Sequence, residues 1–380
     1  MNFGLTQVQE AIRQTVRDFA EAEIRPHVME WDEQQSFPRS LFEKIGELGF
    51  LGCFVPEEYG GAALKVAEYV GVIEELARVD GSISLSVAAH NSLCTNHLVL
   101  FGSANQKRDY LPKLATGEWI GAWGLTESGA GSDAGGTRTT AVRDGDGWVL
   151  NGSKSFITHG STGQIAVLMA VTDPGRAKSG ISAFAIPFDT PGLRSGKKEN
   201  KLGMRASATS TILLEDCRVP ADALVGKENE GFKQALAILD GGRIGIAALA
   251  VGMARGAYEA SLRYAQERRQ FGKPLSEFEA IQFYLAEMAT EIEAASLLTR
   301  QAAAIKDAGE KVTKHASMAK YYSSEVCVKT ADRAVQIHGG YGFTKDFPVE
   351  KFFRDSKLCT IGEGTTEIQK MVIARQLLRA

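Results

Sequence analysis

Trp123-Gly124-Leu125-Thr126-Glu127-Ser128-Gly129-Ala130-Gly131-Ser132-Asp133 is where one periodicity of this chain gives way to another. Upstream, apolar residues recur at helical spacing; downstream they fall in short runs broken by turn residues. The stretch joins a strand end to a Gly/Ser loop whose bare N–H groups and hydroxyls suit an anionic or polar ligand. It is not a P-loop, because no Gly-Lys-Ser/Thr follows. It is not a dinucleotide fingerprint, because no helix follows the glycines. Taken alone, a plain β-turn loop accounts for it equally well. Its place in the chain decides the fold class: mainly α, with a central β domain.

Working outward towards the N-terminus, residues 6 to about 101 read as helical. Thr6 fits an N-cap for the face Val8, Ile12, Val16 and Phe19. Phe37-Pro38 opens a segment with Leu41, Ile45 and Leu48 on one face, and Gly49 stops it. Residues 56–61 read as a loop, and 66–79 and 83–100 as further helices. Ser84, Ser86, Ala88 and Ala89 are small enough for close helix packing. The change of pattern falls near Gly117. Between 119 and about 222, Asp146-Gly147 and Asn151-Gly152 read as hairpin turns around Trp148-Val149-Leu150. With 164–171, 181–187 and 211–214 they suggest an antiparallel sheet or small barrel. Helical spacing returns over 232–268, 276–307 and 312–337. A fourth helix follows Thr366, with Gln369 completing a capping box and Ile368, Met371, Val372 and Leu378 as its apolar face. The expected domains are 1–117 (all-α), 118–226 (β) and 227–380 (helical bundle).

The chain has 380 residues, 43 Lys+Arg against 46 Asp+Glu, and a net charge of -3, which gives no electrostatic case for nucleic acid. No long uncharged apolar run suggests a membrane span. Met1-Asn2-Phe3-Gly4-Leu5 lacks the features of a signal peptide, so a cytoplasmic location is expected. The five cysteines (Cys53, Cys94, Cys217, Cys327, Cys359) are scattered and odd in number, as expected of reduced thiols. The six histidines form no metal pattern. His90 and His97 share a helical face at most, with no third ligand, so no metal is expected.

Four other stretches carry chemistry. In Ile361-Gly362-Glu363-Gly364-Thr365-Thr366-Glu367-Ile368-Gln369 a carboxylate stands between two glycines, suited to a pocket or simply to a solvated loop. In Ser155-Phe156-Ile157-Thr158-His159-Gly160 an aromatic and a hydroxyl two apart share a strand face, fit to stack a flat ring or to pack a strand end. Gln336-Ile337-His338-Gly339-Gly340-Tyr341-Gly342-Phe343 reads as a helix C-cap or a pyrophosphate contact. Arg268-Arg269-Gln270-Phe271-Gly272 offers an Arg for phosphate and a Phe for stacking.

The joint order of these five stretches, over essentially the whole chain, resembles the acyl-CoA dehydrogenase family, above all its short-chain, butyryl-CoA or short branched-chain members. Gly196-Lys197-Lys198-Glu199-Asn200-Lys201-Leu202-Gly203-Met204-Arg205 is also similar to the short-chain members. The resemblance implies an N-terminal helical domain, a β-barrel and a four-helix bundle, with FAD as cofactor and a homotetramer in which each flavin touches two subunits. It places Trp123, Leu125, Thr126 and Ser132 along the isoalloxazine and pyrophosphate, and Phe156, Ile157 and Thr158 at the flavin ring. Arg268, Phe271, Gln336, Gly339 and Gly340 would reach the neighbouring subunit's FAD, with Glu279 near the adenosine. Thr365 and Glu367 would contact the cofactor beside the base. Ser132, Asp240, Arg243 and Gly364 would meet acyl-CoA. Glu363 matches the catalytic base, taking the α-proton while the β-hydride passes to the flavin.

The implied activity is α,β-dehydrogenation of a short acyl-CoA to the trans-2-enoyl-CoA, with electrons passed to electron-transferring flavoprotein. An oxidase using O₂ is the neighbouring alternative, and a DNA-associated relative finds no support in the charge balance. Where some members carry the base on a bundle helix, Gly242 stands here. Gly362 replaces a usual Tyr, which widens the pocket for a branched or bulky acyl group. Ser128 replaces Pro, Glu279 replaces Gln, and His159 replaces Asn.

Overall fold

The computed structural model describes residues 4–378, so part of the signal-peptide reading, Met1 to Phe3, lies outside the described residues. Thr6 caps α1 (Gln7–Phe19) through a reciprocal box with Gln9. After α2 (Val28–Gln34), α3 (Arg39–Glu47) buries Leu41 and Ile45, while Leu48 is exposed as the helix ends before Gly49 at φ +79. Residues 56–61 are not a plain loop: they hold a 3₁₀ turn, Glu57–Tyr59. α4 (Val66–Val79) runs into α5 (Gly81–Ala88), a π-helical segment at Ala89–Thr95, and α6 (Asn96–Phe101). The small residues here serve packing: Ser84 Oγ donates to the Ile73 carbonyl (2.8 Å) and Ser86 meets Ser207 (2.9 Å). α7 (Ala104–Thr116) falls where no helix was assigned from sequence, and Gly117 ends it at φ +77.

The central strands are β1 (Gly121–Gly124), β2 (Thr140–Asp144), β3 (Gly147–Thr158), β4 (Ile165–Val171), β5 (Ile181–Pro187), β6 (Leu193–Lys198), β7 (Thr209–Pro220) and β8 (Leu224–Val225). Their order is β6-β7-β3-β2-β4-β5-β8, with β1 on β4. The sheet is mixed rather than antiparallel, because β1/β4 and the single bridge β2/β4 are parallel. The hairpin turn is Gly145-Asp146, with Gly145 at φ +61, not Asp146-Gly147. Asn151-Gly152 makes no turn. It continues β3 opposite a bulge in β7, where Asn151 faces both Glu215 and Asp216 and Asp216 takes φ +47.

α8 (Gly231–Glu267) then crosses the molecule. The hairpin β9 (Arg269–Gln270) and β10 (Lys273–Pro274) leads to α9 (Glu279–Asp307) and α10 (Thr313–His338). α11 (Val349–Cys359), unread in the sequence, and α12 (Thr366–Leu377) complete the chain. By length and composition α8 could span a membrane, but 78% of its apolar window is buried in the fold, as for a core helix. Glycines fit it against α4. A Cβ on Gly252 would collide with the Glu74 carbonyl and lie 2.7 Å from Ala77 Cβ, and one on Gly245 would lie 2.9 Å from the Tyr69 hydroxyl. The same helix core buries Ile244, Leu249, Met253, Ile292 and Ala331.

One buried ionic junction ties all three parts together. Asp80 caps α5 through the Ile83 N–H (2.8 Å). Lys351 on α11 pairs with Asp80 (2.8 Å) and Asp355 (2.6 Å), and Asp355 accepts from the Met204 N–H of the β6–β7 loop (2.5 Å).

Candidate active site

Glu363 lies on the turn between α11 and α12, in the left-handed region at φ +53, with Gly364 at φ +94. The turn closes on both sides: Gly362 N–H donates to Leu358 (2.8 Å) and Thr366 N–H to Thr360 (3.0 Å). The cap of α12 is Thr365, not Thr366: its hydroxyl accepts from the Ile368 N–H, and Thr366 instead donates to Glu325 (2.8 Å). Gln369 does not complete a box. It points back to donate to the carbonyls of Gly364 (2.9 Å) and Glu363 (3.3 Å). The expected apolar face of α12 is not buried in this chain, since Met371 and Leu378 are exposed and Thr366 and Gln369 are the buried positions.

The turn aims the carboxylate inward. A Cβ built on Gly242 would collide with Glu363 Oε2 and lie 3.0 Å from its Cδ, with Leu93 Cδ2 at 3.1 Å. Oε2 is buried with no hydrogen-bond partner. Burial raises the carboxyl pKa to about 7, against the opposing pull of Lys320 and Arg243. Arg243, on the same α8 turn, is buried and pairs with Asp240 (2.8 Å), which also accepts from Thr313 (2.6 Å). The structure thus brings Asp240, Gly242, Arg243, Gly362, Glu363 and Gly364 together from helices far apart in sequence.

The Thr126–Ser132 loop is organised from below. Glu127 accepts from the N–H groups of Arg138 (2.8 Å) and Thr139 (3.0 Å), from the Thr139 hydroxyl (2.6 Å) and from Lys154 (2.6 Å). Lys154 is fully buried, and burial lowers its pKa to about 8. That pair holds the loop so that Gly129 and Gly131 face open space and Ser132 is exposed. Trp123 is half-buried, with its indole N–H donated to His97 Nδ1 (3.1 Å), while His97 Nε2–H donates to Gln234 (2.9 Å). His90 is likewise used in the fold, between Gly121 N–H (3.1 Å) and the Leu114 carbonyl (3.0 Å).

Phe156 is 66% exposed at φ +59, on a second slip of β3 between Lys154 and Ile157. An exposed aromatic held in the left-handed region is built to meet something. Thr158 is half-buried two residues on. Ile157 and Leu125 turn their side chains into two separate buried clusters, so neither presents a side chain to a ligand.

The remaining candidates form a separate cluster. Arg268, Gly339 and Gly340 line a cavity of about 550 Å³ with Tyr264, Ile337 and Tyr341. Phe271 is 94% exposed at the hairpin tip, and Gln336 and Glu279 are exposed on their helices. Gly339 lies nineteen residues beyond Lys320 on α10, about 28 Å along a helix axis. This group therefore does not join Glu363 within one chain. Glu367 is exposed in the first turn of α12, where its own backbone N–H and Thr365 hold its pKa low.

A carboxylate whose Oε2 is buried without a hydrogen-bond partner sets this turn apart from the paired carboxylates of the fold. Sequence profiles for the acyl-CoA dehydrogenase N-terminal, middle and C-terminal domains match residues 6–118, 122–217 and 229–378. The chain belongs to this family of flavoprotein oxidoreductases and is an acyl-CoA dehydrogenase by class. It is 50% identical to the "Probable acyl-CoA dehydrogenase YngJ" of Bacillus subtilis, over all of both chains. It is similar to butyryl-CoA dehydrogenase of Megasphaera elsdenii, with 41% identity and a TM-score of 0.98, again over all of both chains. A chain from structural work on the electron transferring flavoprotein of Acidaminococcus fermentans and the mechanism of flavin-based electron bifurcation matches over all of both chains, with 46% identity and a TM-score of 0.99.

Proposed function

We propose that this protein dehydrogenates a short acyl-CoA, branched chains included, to the trans-2-enoyl-CoA with FAD as cofactor, and passes the electrons to electron-transferring flavoprotein. The observation that carries the reading is the Glu363 carboxylate over Gly242, whose Oε2 is buried without a partner. Glu363 is the base that takes the α-proton. A pKa lifted towards neutrality matches a base to the pH at which it works. The Glu363 N–H, fixed in a left-handed turn, is a preorganised donor for negative charge developing on a thioester oxygen.

The residues present fit FAD. Phe156 presents an exposed face beside the Thr158 hydroxyl. Gly129 and Gly131, and on the separate cluster Gly339 and Gly340, leave their backbones uncovered. Trp123, Leu125, Thr126, Ser132, Phe156, Ile157 and Thr158 would hold the ring and its phosphate side, with Thr365 and Glu367 beside the base. When bound, FAD supplies the acceptor for the hydride leaving the β-carbon. Ser132, Asp240, Arg243 and Gly364 would hold the thioester and the CoA.

Because the Arg268 cavity is too far from Glu363 to serve the same cofactor, Arg268, Phe271, Glu279, Gln336, Gly339 and Gly340 would reach the FAD of a second copy, in a homotetramer. Electron-transferring flavoprotein as partner is supported by the Acidaminococcus relative. Five unpaired, buried cysteines support a reducing, cytosolic location.

Gly362 supports the branched substrate, because a Cβ there would find its nearest neighbours, all atoms of Leu358, no closer than 3.5 Å. Anaerobic flavin bleaching by butyryl-, isobutyryl- and isovaleryl-CoA tests the proposal. Bleaching by a short acyl class should fall roughly 10²-fold or more in Glu363→Gln. Undiminished bleaching in that variant would remove Glu363 as the base, and a preference for butyryl-CoA would remove the branched reading.

A further inference from the structure

Lys320 is a fully buried lysine on α10 whose ammonium donates to the carbonyl of Gly364 at 2.6 Å. Gly364 is the residue after the proposed base, and its carbonyl also takes the Gln369 amide (2.9 Å). Two donors, one of them charged, therefore converge on a single carbonyl of a turn with two successive left-handed residues. A buried ammonium costs several kcal/mol of desolvation. Where such a charge is kept to hold a neutral carbonyl rather than to neutralise a carboxylate, a functional role is the natural account. Arg243, the other cation near Glu363, already has Asp240 at 2.8 Å.

We infer that Lys320 is a positioning residue for the base: through the Gly364 carbonyl it fixes the turn that carries Glu363, and its charge keeps that carboxylate ionised for proton abstraction. The inference rests on the reading of Glu363 as the base. The groups that face Glu363 are Lys320 from α10, Arg243 from α8 and the Tyr69 phenol from α4. Cys359 at the end of α11 and Glu325 on α10 face Lys320 in turn. Of these, Lys320 alone both touches the turn and carries positive charge towards it. Without its charge the carboxyl binds its proton more tightly, and a larger share of the protein holds an inert acid at neutral pH. Without its hydrogen bond the left-handed turn loses its strongest external restraint.

The test uses holoenzyme with butyryl-CoA as probe and compares native protein, Lys320→Met, Lys320→Arg and Glu363→Gln. In Lys320→Met, single-turnover bleaching at pH 7 should fall roughly 10- to 100-fold. The acid limb of kcat/KM should move up by about one pH unit, and Lys320→Arg should return that limb towards native. Infrared difference spectra, native minus Glu363→Gln, read the carboxyl protonation directly and need no turnover. In the Lys320→Met background the protonated band should persist to higher pH. A uniform loss of rate with an unmoved limb and unmoved band would overturn the inference and leave Lys320 merely structural. If Lys320→Met fails to take up flavin, Lys320→Gln retains a donor without charge, and an unmoved limb in that variant also overturns it. Undiminished activity of Glu363→Gln would instead bring down the base assignment, with the inference that depends on it.

Discussion

Glu363 weakens the fold it serves. Its carboxyl has a pKa of about 7 in the folded chain, against about 4.3 for an unperturbed glutamate. The folded state thus binds more protons than the unfolded one between those values, so stability falls as pH rises through that window. The penalty is fully present above pH 7 and amounts to about 3–4 kcal/mol. We expect Glu363→Gln to melt several degrees higher than native protein at pH 8, with the difference closing by pH 4, in paired thermal scans. Gly242 gives a second residue-scale prediction. Gly242→Ala puts a methyl where Oε2 now sits, so kcat for butyryl-CoA should fall at least about tenfold, and a crystal structure should show the carboxylate displaced. Glu363 between its glycines was legible in the sequence as a special carboxylate. Gly242 came into view only through the family resemblance, and Leu93 and Lys320 not at all, because they arrive from other helices. The capping pattern pointed to Thr366, which alone has a Gln three residues on, but the Thr366 hydroxyl is taken by Glu325 and the cap falls to Thr365.

At the scale of elements, α8 shows how glycine replaces interdigitation. Gly245, Gly252 and Gly256 lie under Tyr69, the Glu74 carbonyl and the Arg78 carbonyl respectively, so α4 and α8 touch backbone to backbone. Gly252→Ala would gain helix propensity but overpack that contact. It should destabilise by about 1–3 kcal/mol, read as a lowered thermal midpoint with unchanged flavin spectrum. The long helices were readable from apolar spacing and the sheet from its turn residues. The irregular pieces were not. The π-helical segment Ala89–Thr95, which delivers Leu93 to the site, looks like any helix in sequence. Asn151-Gly152 is a hairpin dipeptide that pairing with β7 keeps inside β3, with the bulge on the β7 side at Glu215-Asp216. α7 contains Pro112, an interior residue that speaks against a helix, and α11 follows a glycine-rich stretch that masks its start.

At the scale of the whole molecule, α10 keeps two functional ends apart, with Lys320 at Glu363 and Gly339 at the Arg268 cavity. If one cofactor spans two copies, Arg268→Ala should lower FAD retention on gel filtration several-fold without moving the acid limb set by Glu363. Co-expressing Arg268→Ala with Glu363→Gln should then restore part of the activity that each homo-oligomer lacks. Absence of any recovery, with mixed oligomers demonstrated, would speak for one-chain sites. In sequence this division was only an implication of family resemblance; along α10 the two clusters lie apart within one chain.

The Lys351 junction bears on how such a chain can be recombined. Asp80, Met204 and Lys351 belong to three successive parts of the sequence, yet they share one buried charge system. A chimera that takes its first helices or its sheet from a relative therefore inherits half of an ion cluster. Unless the incoming part matches Asp80 or the Met204 loop geometry, Lys351 or Asp355 is stranded in the interior at a cost of about 3–5 kcal/mol. Crossover points set at the sheet's two ends will be tolerated only as far as this lock is transplanted whole, which makes the junction a compatibility check on modular exchange.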